Sequence, residues 1–347
     1  MAPDTDSHAS PANARCAEAA TDAAPGTAGN ANAPTVGILY ESDEWSDHKL
    51  ARELRNALAD EGCDAGVALV NMEAPDAIER ALACSLLVSR VFASARFRDH
   101  DASLARMAHL VEAAQTAGIP MLNRGSAHRF EVDKQAATEA LCAAGLDVPA
   151  VFACAEAHAI QGAALPYPCI IKPNCGGRTA HTAILRDAAE AECFLRNAPE
   201  GAFIVEEYIE PELGFLTRIE IVGGRAALTV KRSVAASGLS GYHEGSAYAP
   251  YADCSAALVA DAELAARTLG FDFGSFDVVE CARGRFFIDA NSVSNVSEDC
   301  AELLGCDLMA LHACAMAKRF AEAQACRRAT HEGDPQQPGP SERFASR

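Results

Sequence analysis

The chain has 347 residues, half of them hydrophobic but only 6% aromatic, and a formal net charge of −19. That length supports two or three domains, and cores of small aliphatic side chains suit mixed α/β layers rather than an all-β sandwich. The acidic balance excludes a general affinity for nucleic acid, whose backbone needs a basic face, but leaves room for a local nucleotide site.

Fourteen cysteines without a C-x-x-C spacing are too sparse for a disulfide scaffold. The pairs Cys169/Cys175 and Cys300/Cys306 lack accompanying zinc spacing, so the cysteines read as reduced thiols of a cytoplasmic protein. No apolar run approaches the roughly 20 residues of a membrane span.

Residues 1–33 mix Pro, Gly, Ser and Asp with no continuous apolar core, and read as a disordered tail rather than a targeting signal. The ordered chain opens on the apolar run Val36–Tyr40. A helix follows near Asp47–Glu61, where Leu50, Leu54 and Leu58 recur at fours on one face. Ala65–Val70 and Ser85–Val91 are strand candidates, and Ala102–Ala117 is a helix stopped by Gly118. This alternation predicts a doubly wound parallel sheet, an N-terminal α/β domain over residues 34–125. No G-x-G-x-x-G follows the first strand, which disfavours a dinucleotide fold of the usual fingerprint.

Residues 126–148 read as helical up to Gly145, ahead of Val148-Pro149. Pro168–Lys172 and Ala180–Leu185 are strands around a glycine turn, Ala188–Arg196 is a helix and Phe203–Ile209 a strand. Gly223-Gly224 between Thr217–Val222 and Arg225–Lys231 predicts a hairpin. Ala256–Leu269 is helical, Phe276–Cys281 and Arg285–Asp289 form a second hairpin, and Asp307–Phe320 closes with a helix. Hairpins among helices make this part α+β, divided into units over 126–205 and 206–325, with 326–347 a second disordered tail.

The second hairpin carries the most specific signal. A three-residue loop Ala282-Arg283-Gly284 pairs Cys281 with Arg285, which counts back to Asp277 opposite Asp289. Asn291 lies two residues on and shares that face. Two carboxylates and an amide oxygen are hard ligands, suited to magnesium or manganese carried with phosphates; the alternative is acids pointing to solvent at a strand end. Lys172 closes an apolar strand before Gly176-Gly177, a turn that lets backbone amides approach phosphate, though it is not a Walker A loop. Glu206 and Glu207 interrupt an apolar strand next to Tyr208, a cost unless they are paired or solvated. Arg218 and Glu220 share a face, with Lys231 and Arg232 on the partner strand; these read either as phosphate and carboxylate contacts or as a surface ion-pair ladder.

Taken in order over most of residues 35–325, these elements resemble the ATP-grasp superfamily, and within it the branch containing the ribosomal-protein glutamate ligase. The resemblance implies an N-terminal doubly wound sheet, a small central lid and a C-terminal antiparallel unit holding the metal. It implies Lys134, which opens a helix after Val132-Asp133, and Lys172 as the phosphate-facing lysines, with Gly176 and Gly177 beside them. Glu206, Glu207 and Tyr208 match the adenine hinge, Arg218 the catalytic arginine, and Asp277, Asp289 and Asn291 the magnesium ligands. Arg90 and His243 are the substrate-contact candidates. Departures occur at Leu216, where the family often has an acid for the ribose, at Gly238–Gly245, at Asp289 in place of glutamate, and at Ser292-Val293-Ser294-Asn295 in place of a Pro-Gly turn.

The implied activity is ADP-forming ligation through an acylphosphate, with ATP and Mg2+ (or Mn2+) as cofactors and a small-molecule carboxylate and amine as partners. The product would be an amide, such as glutamate added to a small molecule, coenzyme or peptide. A homo-oligomer formed through the N-terminal domain is a further expectation of the family. A phosphotransferase and a nucleotide-binding module without turnover are the alternatives.

Overall fold

In the computed structural model, which describes residues 33–42, 45–241, 244–294 and 300–332 (side chains through 325), the apolar runs fall into three sheets. His243, a substrate-contact candidate, and Asn295 lie outside the described residues. β1 (Thr35–Tyr40), β2 (Gly66–Asn71), β3 (Leu86–Ser89) and β4 (Met121–Leu122) pair in parallel in the order β2-β1-β3-β4. Parallel neighbours require crossovers, supplied here by α1 (Trp45–Asp60), α2 (Ala77–Leu82) and α3 (Asp101–Ala117). α1 buries Leu50, Leu54 and Leu58, the face expected from their spacing, and α3 stops on Gly118 in the left-handed region.

The helix expected over 126–148 is two helices, α4 (Gly125–Val132) and α5 (Lys134–Ala143). Asp133 breaks it. Extended at φ −140, Asp133 accepts a hydrogen bond from the Ala136 amide and so caps α5; a short carboxylate at this position favours a new start over continuation. The break makes Lys134 the first residue of α5.

β5 (Val151–Glu156), which the apolar pattern does not reveal, joins β6 (Cys169–Pro173), β7 (Ala183–Leu185) and β8 (Ala202–Glu207) in an antiparallel sheet ordered β5-β8-β6-β7. α6 (Ala188–Asn197) packs Ala191 into its core with Ile171, Phe203 and Val205. The division drawn at residue 205 falls inside β8.

β9 (Phe215–Val222) and β10 (Arg225–Ser233) turn through Gly223 and Gly224, both at positive φ as a two-residue hairpin requires. With β11 (Tyr248–Pro250), β12 (Phe273–Cys281) and β13 (Gly284–Asn291) they form the sheet β11-β10-β9-β12-β13. α7 (Ala256–Leu269), with α4 and α5, covers one face of it, burying Leu258, Leu269 and Leu141 against Ile219, Phe276 and Phe287. After α8 (Cys300–Leu304), α9 (Leu308–Glu332) continues beyond Phe320, where the apolar pattern stops. It returns to the N-terminal sheet, packing Met309, Ala313, Met316 and Phe320 with α1, Ile38 and Val88. Among the described residues no helix is long and apolar enough to cross a membrane.

Candidate active site

The β12–β13 hairpin turns through two residues, not three: Cys281 faces Gly284 rather than Arg285. That shift alone would carry Asp277 off Asp289. A bulge that leaves Ile288 unpaired restores the register, so Asp277 does lie opposite Asp289, and Ser275 opposite Asn291. The bulge has its own use, because Lys172 Nζ donates to the Ile288 carbonyl at 2.7 Å.

Two carboxylates facing one another repel, and here the chain's own cations offset the repulsion. Asp277 accepts from Arg232 Nη2 at 2.9 Å and from Arg218 Nη1 at 3.3 Å, while Asp289 Oδ1 accepts from Lys134 Nζ at 2.5 Å. Burial works against the charge of Lys134, yet Asp289, then Glu131 and Glu206, hold its ammonium above the usual lysine range. Burial likewise opposes the charge of Asp289, and Lys134 and Lys172 overcome it, keeping the carboxyl below the usual range. Arg218 is desolvated too, but Glu220 and Asp277 raise its pKa further. Among the described residues no three His, Cys, Asp or Glu side chains gather as a metal site. The donor set nevertheless fits a hard divalent cation, with Asn291 as the third oxygen on the hairpin face.

Alternation along β8 separates the two acids expected at the hinge. Glu206 points inward to Lys172 Nζ at 2.8 Å and accepts from Thr138 Oγ1 at 3.3 Å. Glu207 points outward to Arg283 Nη1 at 2.6 Å, whose hydrogen bond holds its carboxyl low. Each acid is paired, which removes the cost that their place in an apolar strand suggested.

Two cavities meet over the hairpin. The smaller, about 120 Å³, is lined by Lys134, Lys172, Gly176, Gly177, Glu206, Glu207 and Tyr208, with apolar Ile170, Ile209, Leu216, Val279 and Ile288. The larger, about 770 Å³, is lined by Arg218, Glu220, Asn291, Tyr248 and an apolar group. Asp277, Asp289, Arg232 and the turn Gly176–Thr179 line both.

That turn is tightly seated. A Cβ at Gly176 would lie 3.0 Å from Pro173 Cβ and 3.1 Å from Phe97, whereas at Gly177 the nearest atom is Ser94 Cβ at 3.5 Å. Beyond the glycines, Arg178, Thr179 and His181 all adopt φ between +52 and +60, a region costly for side chains with a Cβ. Ser94 Oγ, buried beside the turn in the larger cavity's wall, has no hydrogen-bond partner and could donate to an anion there.

Arg90 is only 3% exposed and lines neither cavity. Its guanidinium donates to Asp47 Oδ1, Ser46 Oγ and the Ser294 carbonyl at 2.6–2.8 Å. It therefore ties α1 to the segment after β13. Glu131, which nothing in the sequence marked, does similar work: it accepts from the amides of Ala93 and Ser292 and from Ser292 Oγ. Burial pushes its carboxyl up against those bonds. Asn123 bonds Phe273 and Ser292 through its side-chain amide. Arg232, one of four residues weighed between a site and a surface ladder, is buried on Asp277 and Ser240.

The sequence matches no family model and no curated protein. Among solved structures, the chain is similar to a RimK domain protein ATP-grasp from Sphaerobacter thermophilus DSM 20745, at 22% identity and TM-score 0.58, over 82% of this chain and 98% of that one. It is similar to D-cycloserine synthetase DcsG at 17% identity and TM-score 0.59, over 82% and 99% of the two chains. The ATP-grasp ligase PsnB, complexed with a phosphomimetic variant of its minimal precursor, Mg and ADP, matches at 16% identity and TM-score 0.56, over 83% and 99%. With a parallel sheet, two antiparallel sheets and likenesses that span over four-fifths of its length, the chain has the ATP-grasp fold.

Proposed function

We propose that the chain is an ATP- and magnesium-dependent, ADP-forming carboxylate–amine ligase. The observation that carries this reading is the wall shared by the two cavities. Asp277, Asp289, Arg232 and the Gly176-Gly177 turn face both spaces, so a phosphoryl group held there is within reach of a carboxylate on the far side. The structural neighbours named as a synthetase and a ligase support the same class.

In this reading adenine lies in the smaller cavity among Ile170, Leu216 and Ile288, with the Glu207-Tyr208 backbone at its edge. Lys134, Lys172 and the amides of the glycine turn take the phosphate oxygens. Asp277, Asp289 and Asn291 would hold the magnesium ion, which when bound neutralises phosphate charge. Both lysines are engaged by carboxylates in this structure, so they exchange Asp289 and Glu206 for phosphate as nucleotide enters. Arg218 and Arg232 orient the substrate carboxylate, and one of its oxygens attacks the terminal phosphorus as the bond to the ADP oxygen breaks. The acylphosphate so formed is attacked by an amine, and phosphate leaves as the amide forms with loss of an amine proton. The Gly176–His181 turn closes this space to water, which would otherwise hydrolyse the acylphosphate. The described cysteines are all free thiols, which fits a reducing, ATP-rich cytoplasm.

The test is ADP release from purified protein with ATP and magnesium across carboxylate and amine pools, beside Asp289→Ala. Release that needs both pools, and falls about a thousandfold in the variant, is expected. A stable phosphorylated product formed without amine would replace this reading with a phosphotransferase, and tight ATP binding without turnover would replace it with a binding module.

A further inference from the structure

The larger cavity has two chemically different kinds of lining. Its shared wall is charged. Trp45, Phe92, Val293, Leu303, Leu304 and Leu308 add an apolar lining from α1, the segments after β3 and β13, α8 and the start of α9. Trp45 is 38% exposed and Leu303 50%, and they are two of only four large hydrophobic side chains exposed among the described residues. One such side chain needs no explanation, but two lining one cavity do. Trp45 is also held in place. Lys49 Nζ lies 5.3 Å from the Trp45 ring centroid and is ion-paired at 2.5 Å to Asp307, at the entry to α9.

Among the described residues the cavity carries no surplus of cations. Arg178, Arg218 and Arg232 line it against Glu131, Glu220, Asp277 and Asp289, and Arg218 and Arg232 already share Asp277. One incoming carboxylate can be taken at the shared wall by exchange with those acids. A second would have to compete for cations that are already paired, Lys49 beside Trp45 being held by Asp307, and Arg218 and Arg232 by Asp277. The volume of about 770 Å³ also lies in the range of sites for drug-sized ligands, roughly 300–1,000 Å³, and exceeds the need of a small amino acid.

We propose that the molecule activated here is a monocarboxylate with a bulky apolar body, aromatic or branched aliphatic, and not a dicarboxylate such as glutamate. Its carboxylate meets Arg218 and Arg232, and its body packs on Trp45, Leu303 and Leu304. The chemical role of that carboxylate rests on the ligase reading; the binding preference does not.

Trp45 is the only tryptophan in the chain and lines this cavity, so its fluorescence reports occupancy there directly. Full-length protein is titrated with L-phenylalanine, L-leucine, L-glutamate and L-aspartate, and the same four serve as the carboxylate in the ADP-release assay with magnesium, ATP and a mixed amine pool. Phenylalanine and leucine are expected to shift the emission saturably and to bind on the order of tenfold more tightly than the two acids. Leu303→Asp, at a half-exposed position in the lining, should weaken phenylalanine binding by a similar factor without moving the melting temperature, and Leu303→Ala by less. Equal or tighter glutamate binding overturns the proposal, as does unchanged phenylalanine affinity in a folded Leu303→Asp protein. Saturable phenylalanine binding without ADP release from any pool supports this site and overturns the ligase reading. ADP release that depends on glutamate alone does the reverse.

Discussion

On the smaller cavity's side the charged residues stand in separate pairs: Lys172 with Glu206, Glu207 with Arg283, Lys134 with Asp289. On the larger cavity's side they form a chain, in which Glu220 and Asp277 both hold Arg218, and Asp277 also holds Arg232. Removing one member of a pair removes the other's ion pair among the described residues, although Lys172 keeps its bond to the Ile288 carbonyl. A chain keeps a second contact for most of its members, so it tolerates the loss and can open to admit a ligand's carboxylate. Each pair on the smaller cavity's side therefore rests on a single ion-pair contact, whereas the network on the larger cavity's side has contacts to spare.

The sharpest way to break this comparison is to remove one acid from each side. Glu206→Gln leaves the Lys172 ammonium buried without its carboxylate and removes one of the charges that support Lys134. It should cost about 3 kcal/mol of stability, the penalty for breaking a buried pair. Glu220→Gln leaves Arg218 on Asp277 and should cost only about 1 kcal/mol. Urea unfolding of the two variants checks this, and equal losses would mean that the chain confers no redundancy.

A smaller effect separates the site from the core that carries it. His312 is buried against Phe273, with Nε2 lacking a hydrogen-bond partner. Burial, and then Arg90, push its pKa down from 6.5 to about 3. The sign follows from proton uptake: above 6.5 His312 is neutral in both folded and unfolded chains, and below that only the unfolded chain gains the proton. Stability is therefore lost as pH falls from 6.5 towards about 3. His312→Phe should be the less acid-sensitive protein by on the order of 2 kcal/mol near the bottom of that window. Asp289, by contrast, has its folded pKa depressed below 3.8, so its pair with Lys134 is lost only below that pH. Unfolding measured across pH in both proteins would show parallel curves if His312 did not titrate on unfolding.

The smallest effect tests the turn that both cavities share. Gly176→Ala presses a methyl group on Pro173 and Phe97 and should cost about 1 kcal/mol, whereas Gly177→Ala meets only ordinary contact distances and should be near neutral. Thermal melts of the two variants decide whether the close approach at Gly176 is what seats the turn.

Legibility in the sequence followed the range of each interaction. Helix α7 and the Gly223-Gly224 turn were readable because capping, apolar spacing and positive φ act within a few residues. The seven nucleotide-side candidates were found through their local pattern and the family resemblance, and the structure gathers all seven around one cavity. The pairing of Asp277 with Asp289 was expected through the wrong turn, and a bulge corrected it. A bulge is settled by what the neighbouring strand and Lys172 demand, not by the hairpin's own residues. Glu131 left no signal because its partners, Ala93 and Ser292, are far from it in the chain.

The amino-acid sequence by itself determined the alternation of elements, the capping of α5 by Asp133 and the placing of hard oxygen donors along one strand face. These depend on backbone preference and on spacings of two, three and four residues. Only the tertiary structure decided which cation meets which acid, that α9 returns to cover the first sheet, and that Trp45 and Leu303 line the same cavity as the charged hairpin. Those outcomes depend on contacts between segments tens to hundreds of residues apart, and no local pattern in the chain encodes which of many such contacts will close.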